Sequence, residues 1–266
     1  MWIDTHCHLD AREFGAQALE VAARAGQAGV SMIVIPAVER GNFAAVAELS
    51  HAAPNASYAL GIHPICVPQA TDDDLAALRA QAEAAMGDPL FVAIGEIGLD
   101  FFIPMLCEPA MREKQERFFR EQLRIARDLG LPVLTHVRRS QDQVLKHLRQ
   151  VTPPGGIAHA FNGSEQQANT FIKLGMHLGF GGAMTFTRAL QIRRLAAGLP
   201  LDRIVLETDA PDISPAWVHP GRNSPEQLPA IGAALAALRG LDAGQVREAA
   251  WGSSIAALPR LAALLA

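Results

Sequence analysis

The sequence predicts a TIM-type (β/α)8 barrel, and three observations predict it. Strand-like and helix-like segments alternate along all 266 residues, with eight strand candidates. Six ligand-type side chains (His6, His8, Glu96, His136, His159 and Asp209) close short apolar runs, as residues do at the C-terminal ends of buried parallel strands. The length suits one such barrel, so 1–266 is read as a single domain.

Each element has a local signature. Ile3 to His6 reads as the first strand. Ala16 to Ala28 is Ala-rich and helix-forming, with Gly29 as its stop. Ser31 to Pro36 is the second strand, and Asn42 to Ala52 the helix after it. Ser57 to Ile62 is the third strand, closed by His63-Pro64. Thr71-Asp72-Asp73-Asp74 opens the next helix: Thr71 or Asp72 caps it, and the acids suit its positive end. Phe91 to Ile97 is strand four, followed by a long amphipathic helix from Met111 to Leu129 that stops at Gly130. Pro132 to His136 is strand five, with Gln141 to Gln150 helical behind it. Gly156 to Phe161 is strand six. The helix from Ser164 to Leu174 starts with a Ser-x-x-Gln capping pattern at Ser164 and Gln167. Met176 to Gly181 is strand seven, Arg188 to Ala197 is helical, and Arg203 to Thr208 is strand eight. The Ala- and Leu-rich tail from Pro225 closes the chain with helices. No dinucleotide fingerprint or phosphate-binding loop follows the first strand.

Composition narrows the function classes. Half the residues are apolar and 19% are charged, as in an ordinary globular protein, and no apolar run reaches membrane-span length. The chain enters Trp2-Ile3-Asp4 without a basic segment, apolar core and cleavage site, so the cytoplasm is the expected compartment. Cys7, Cys66 and Cys107 are too few and too scattered for a disulfide framework or a cysteine zinc site. Strand alternation points Cys7 away from its histidine neighbours. A net charge of −4 argues against broad coating of a nucleic-acid backbone. A nucleic-acid substrate would meet the protein at a cleft, helped by clusters such as Arg138-Arg139 and Arg193-Arg194. No membrane contact and no obligate protein partner are expected.

The chemistry lies in the strand ends. His6 and His8, two apart on a strand, face the same side and can hold one ion between them. Glu96 stands in Gly95-Glu96-Ile97-Gly98-Leu99-Asp100, where small neighbours allow close approach. A carboxylate can bridge two cations where an imidazole cannot, so Glu96 is the natural shared ligand. His136 and His159 end consecutive strands. Asp209 can bind a metal and take a proton from attacking water. Glu207 has the same parity but lies deeper, suited to holding a ligand imidazole, and Asp100 is suited either to orienting its loop or to hydrogen-bonding a ligand. Arg138 shares the direction of His136 and can grip a phosphate or carboxylate. His63 faces the same rim as a substrate contact. His219 sits in a Pro-rich loop, and His51, His147 and His177 read as surface or packing residues. Each candidate has an ordinary alternative: a surface Glu in a glycine turn, a capping histidine, an arginine in a salt bridge. The ordered set outweighs these alternatives.

That set resembles the TatD family of metal-dependent hydrolases, in the amidohydrolase superfamily, and its YjjV-like branch in particular. The matching pieces run in order: Asp4-Thr5-His6-Cys7-His8, Gly61-Ile62-His63-Pro64, the Glu96 segment, His136-Val137-Arg138, His159-Ala160-Phe161-Asn162-Gly163, Glu207-Thr208-Asp209-Ala210-Pro211 and Gly221-Arg222-Asn223-Ser224-Pro225. The resemblance implies a TIM-type barrel with two divalent metal ions. His6, His8, Glu96 and Asp209 would bind one ion; Glu96, His136 and His159 would bind the other, with Asp209 as general base. It also implies deoxyribonuclease activity, often 3′-to-5′ on single-stranded DNA, with Mg²⁺, Zn²⁺, Mn²⁺ or Ni²⁺. Three features depart from the family pattern. Ala160 replaces a frequent Cys, Trp251-Gly252-Ser253-Ser254 replaces an Asn-containing segment, and the loop from Phe101 to Leu106 is unusually apolar.

The leading expectation is therefore phosphodiester hydrolysis, with Arg138 and Arg222 neutralising charge and His63 assisting binding or the leaving group. An alternative enzyme reading is ester or amide hydrolysis, including deacylation of aminoacyl-tRNA. The absence of a metal-bridging Lys at position 96 separates the chain from many cyclic amidases. A non-enzymatic reading, a silent barrel used for binding, would be marked by lost ligands. Four imidazoles favour Zn²⁺ or another transition metal over Mg²⁺.

Overall fold

Each apolar run becomes a parallel strand, because helices on the outside and side chains on the inside bury both of its faces. The computed structural model describes residues 1–265; Ala266, the last residue of the expected single domain, lies outside them. Eight strands form one sheet in chain order: β1 (Trp2–Asp4), β2 (Val30–Pro36), β3 (Ala56–Leu60), β4 (Phe91–Asp100), β5 (Val133–Arg138), β6 (Gly156–Ala158), β7 (Met176–Phe180) and β8 (Ile204–Leu206). Every neighbouring pair is parallel. The helices between them are α1 (Ala18–Gln27), α2 (Phe43–Ala52), α3 (Asp72–Ala84), α4 (Pro109–Leu129), α5 (Gln141–Gln150), α6 (Glu165–Lys173) and α7 (Leu190–Gly198). After β8 come α8 (Leu228–Arg239), α9 (Ala243–Ala257) and α10 (Leu261–Leu264).

The expected start and stop signals act as such. Thr71 and Asp74 form a capping box at α3, and Ser164 and Gln167 form one at α6. Gly130 ends α4 with φ at 66°, a left-handed cap that costs glycine nothing.

The barrel closes where β8 meets β1. Thr5 N donates to Leu206 O at 3.1 Å and Asp209 N donates to His6 O at 2.8 Å. Across this seam the Asp4 carboxyl accepts from Thr208 N at 2.9 Å, while Asp4 Oδ2 lies 2.6 Å from Thr208 Oγ1. Thr208 Oγ1 is the donor in that contact; burial pushes the Asp4 carboxyl up to about 8, against the pull of the hydrogen bonds it accepts from Thr208.

The strands differ from the sequence reading in two ways that matter for the site. β1 ends at Asp4, before His6, and β4 runs three residues past Ile97 because Leu99 and Asp100 pair with Val137 and Arg138. The β4–β5 register also shifts between Ile94 and Ile97, around Glu96.

Two apolar layers hold the frame. The larger lies between strands and helices and includes Phe118, Phe119 and Leu123 of α4. The smaller fills the barrel floor with Ile3, Val34, Leu134, Ile157 and Val205, and Leu258 and Leu261 plug it from below. Among the described residues no helix is long and apolar enough to cross a membrane.

Candidate metal centre

The ligand-type side chains converge above the barrel floor at the C-terminal ends of the strands, around the carboxylate of Glu96. Its side chain is 2% exposed. Oε2 faces His6 Nε2 at 3.1 Å and His8 Nε2 at 3.3 Å. Asp209 Oδ1 completes that side, 3.7 Å from His6 Nε2 and 3.6 Å from His8 Nε2. Oε1 faces the other side: His136 Nδ1 at 3.0 Å, His63 Nε2 at 3.3 Å and His159 Nε2 at 3.5 Å.

These separations fit cations. Ligand atoms about 2.1 Å from a tetrahedral ion lie roughly 3.4 Å apart. His6 Nε2 and His8 Nε2 are 3.3 Å apart and both aim at the same carboxylate oxygen. An ion between them would take a lone pair from each imidazole once His8 has given up its proton. Three overlapping groups have the spacing of a metal site: His6 with His8 and Asp209; His6 with Glu96 and His159; His63 with Glu96 and His136.

Supporting groups orient these imidazoles. Asp100 Oδ2 lies 3.2 Å from His136 Nε2, leaving Nδ1 for the centre. Glu207 Oε1 is 3.3 Å from His159 Nδ1 and accepts from Ala160 N at 2.5 Å. Gly179 makes room for Glu207, since a Cβ there would run into that carboxylate. Asn223 donates to Thr208 O at 2.8 Å and Asp212 O at 2.9 Å, fixing the turn that carries Asp209. Three non-glycine residues at this rim, Arg139, Ala160 and Asp209, have φ between 44° and 55°, a strained conformation that packing must maintain.

Electrostatics divides the donors. Burial opposes charge on Glu96, yet His63, His6 and His159, with a hydrogen bond from His136, hold its carboxyl well below the usual range. Burial raises Asp209 to about 6, against the pull of His159 and His8. Burial and then His159 push His6 down to about 3. Burial works against a charged His8, but Glu96 and Asp209 raise it to about 9.

The structure brings His6, His8, Glu96, His136, His159 and Asp209 together, with Asp100 and Glu207 behind them. His63, expected as a substrate contact, stands among the ligand atoms; its place at the end of the β3 run was the available signal. Arg138 lines the cavity over the centre, which measures about 980 Å³. Arg222 instead lines an adjoining groove, bonded to Glu13 O and stacked on Phe14. Cys7 is buried with Sγ 3.7 Å from Ala210 O, away from the centre. Sequence reasoning named Arg139 only as part of a basic cluster and Asn223 only within a matching segment, and gave neither a role of its own. Asn223 acts through the folded turn, so its role could not be read from the local pattern.

Known proteins share this frame. The family model for TatD related DNase matches residues 3–257. The chain is 39% identical to the metal-dependent hydrolase YjjV of Escherichia coli K12 over 249 residues, covering 93% of this chain and 94% of that protein. The crystal structure of that TatD homologue superposes with a TM-score of 0.91, covering 97% of this chain and 98% of the other. The 3′-5′ ssDNA/RNA exonuclease TatD of Cronobacter sakazakii is 34% identical over 246 residues, with 90% of each chain covered. With a family match across nearly the whole barrel and donors spaced for cations, the chain is a metal-dependent hydrolase of the TatD-related DNase family.

Proposed function

We propose that the protein is a deoxyribonuclease that removes nucleotides from the 3′ end of single-stranded DNA, using two divalent ions. The observation that carries this reading is the divided Glu96 carboxylate, whose two oxygens face two different sets of donors. His6, His8, Glu96 and Asp209 would hold one ion. Glu96, His136 and His159, with His63 beside them, would hold the second. Bound divalent ions lower the pKa of water and polarise a phosphoryl oxygen.

The chain's own residues supply the rest. Asp209, raised to about 6 by burial, is poised to take a proton from the attacking water near neutral pH. Burial lowers His63, so at neutral pH it is an uncharged imidazole, suited to donating a lone pair rather than protonating a leaving group. Arg138 lines the cavity as a phosphate contact. Asp100 and Glu207 hold His136 and His159 in the orientation that presents one nitrogen to the centre. Arg222 is placed to meet a strand only where it leaves the cavity for the adjoining groove. A relative named as a 3′-5′ ssDNA/RNA exonuclease supports the substrate class.

The test is digestion of end-labelled single-stranded DNA by metal-stripped protein, re-supplied separately with Mg²⁺, Mn²⁺, Ni²⁺ and Zn²⁺. Stepwise shortening from the 3′ end that requires an ion is expected. Asp209→Asn should lose at least about 100-fold in rate while remaining folded by circular dichroism. No shortening with any ion, from protein shown to bind metal, would move the assignment to ester or amide bonds.

A further inference from the structure

At the mouth of the metal cavity stands an aromatic ring that the barrel does not need. Phe101 is buried, but its neighbour Phe102 is 43% exposed and lines the cavity. Ile65 and Ile213, also exposed, line the same cavity, and several exposed apolar side chains gathered at one cavity mark a surface for a ligand. Two guanidinium groups lie over this ring, Arg138 with Cζ 3.8 Å and Arg139 with Cζ 4.6 Å from its centroid.

The ring is tied to the metal centre. Asp100 accepts from Phe102 N at 2.8 Å and Ile103 N at 3.2 Å. The same carboxylate holds His136 Nε2 at 3.2 Å. One buried group therefore sets both the position of a candidate ligand and the turn that presents Phe102. On the other side, Arg139 is held at φ 54°, a conformation unfavourable for a side chain of its size. Among the described residues Arg139 has no ion-pair partner within 4.0 Å, so its charge is available. Arg138 is only loosely paired, 3.7 Å from Asp100 Oδ2.

We propose that Phe102, with Arg138 and Arg139, is the subsite that takes an unpaired nucleotide of the substrate, the ring stacking on its base and the guanidinium groups meeting its phosphate. This deepens the nuclease reading and rests on it. A cation over an exposed ring is held more weakly than a stacked base, so an incoming base displaces a guanidinium and frees it for phosphate. Every base has a π-face, so such a subsite tolerates sequence but demands a base that has left its own stack. The preference for single strands then follows from the platform rather than from the metal ligands.

The test compares wild type, Phe102→Ala, Phe102→Tyr and Arg139→Ala, all metal-loaded, on single strands that are intact or carry one abasic residue at successive 3′-terminal positions. Shortening rates and binding by fluorescence anisotropy are both measured. Phe102→Ala should raise KM about tenfold on intact strands, and Phe102→Tyr should restore it. That penalty should vanish when the abasic residue occupies the position that stacks. Arg139→Ala should reduce the slope of log affinity against log salt by about 0.7. An equal penalty for Phe102→Ala on intact and abasic strands, or none on either, would overturn the platform. Strands bound but never shortened by wild type would sink the nuclease reading while anisotropy still decides the platform; strands neither bound nor shortened would overturn both.

Discussion

Glu96 stands between two groups of candidate donors, each of its oxygens facing a separate group of imidazoles. Glu96→Gln keeps the shape but replaces one oxygen with an amide that carries donors and no charge. We expect metal content to fall by at least one ion per chain and activity by more than about 100-fold, read by elemental analysis beside the digestion rate. Full metal content in this variant would remove Glu96 as the shared ligand. The neighbouring charges make ion binding depend on pH. Asp209, raised to about 6 by burial, must be ionised to bind, so below pH 6 it should add about tenfold per unit to the fall in affinity already caused by the histidines that must lose a proton. His8, raised to about 9 by Glu96 and Asp209 against its burial, carries a proton at neutral pH that an ion must displace. Calorimetry at pH 7 in buffers of different ionisation enthalpy should therefore show proton release on binding. Identical heats in all buffers would contradict this charge assignment. His6, His8, His136, His159 and Asp209 were legible in the sequence because each ends an apolar run. His63 was legible in place but not in role, since only the folded rim puts its Nε2 3.3 Å from Glu96.

At the scale of elements, the site depends on strands packing closely beneath it. Gly179 on β7 leaves the space in which the Glu207 carboxylate of the β8 turn sits, and Glu207 in turn faces His159 after β6. Three successive strands thus position one imidazole. Gly179→Ala would push Glu207 aside without touching any ligand. A loss of about 10- to 100-fold in metal affinity is expected, with the secondary structure unchanged by circular dichroism. Wild-type affinity in that variant would show that Glu207 does not orient His159. The helices and the order of strands were legible, because periodicity and caps such as Ser164 with Gln167 are local. Strand ends were less so. β1 stops at Asp4 because Asp4 turns its carboxyl to Thr208 across the closing seam, a pairing between residues 204 positions apart in the chain. No local pattern encodes such a partner.

For the whole molecule, metal binding and stability are linked, since the donors converge only when the barrel is closed. An ion at about 100 times its dissociation constant adds about 2.7 kcal/mol, which for a domain of this size is roughly 5–10 °C in unfolding midpoint. Chelation should lower the midpoint by that amount, and returning the ion should restore it; an unchanged midpoint in protein shown to have lost its metal would mean that the ions bind without bracing the fold. The sequence by itself determined the barrel, through eight apolar runs alternating with helices, and pointed to the candidate donors other than His63, through the residues that end those runs. The tertiary structure decided which way two of them point. Val34 and Val205 line the barrel floor while Ile94 packs outside, so unbroken alternation from Ile94 would carry Glu96 outward as well. The register shift between Ile94 and Ile97 reverses that and brings Glu96 to the centre. On β1, Ile3 faces the floor, and strict alternation would turn His6 away; the chain leaves the strand after Asp4 and delivers it inward. Alternation is a property of one strand and can be read along it. A bulge is settled by pairing with a neighbouring strand far along the chain, and that is decided only when the barrel closes.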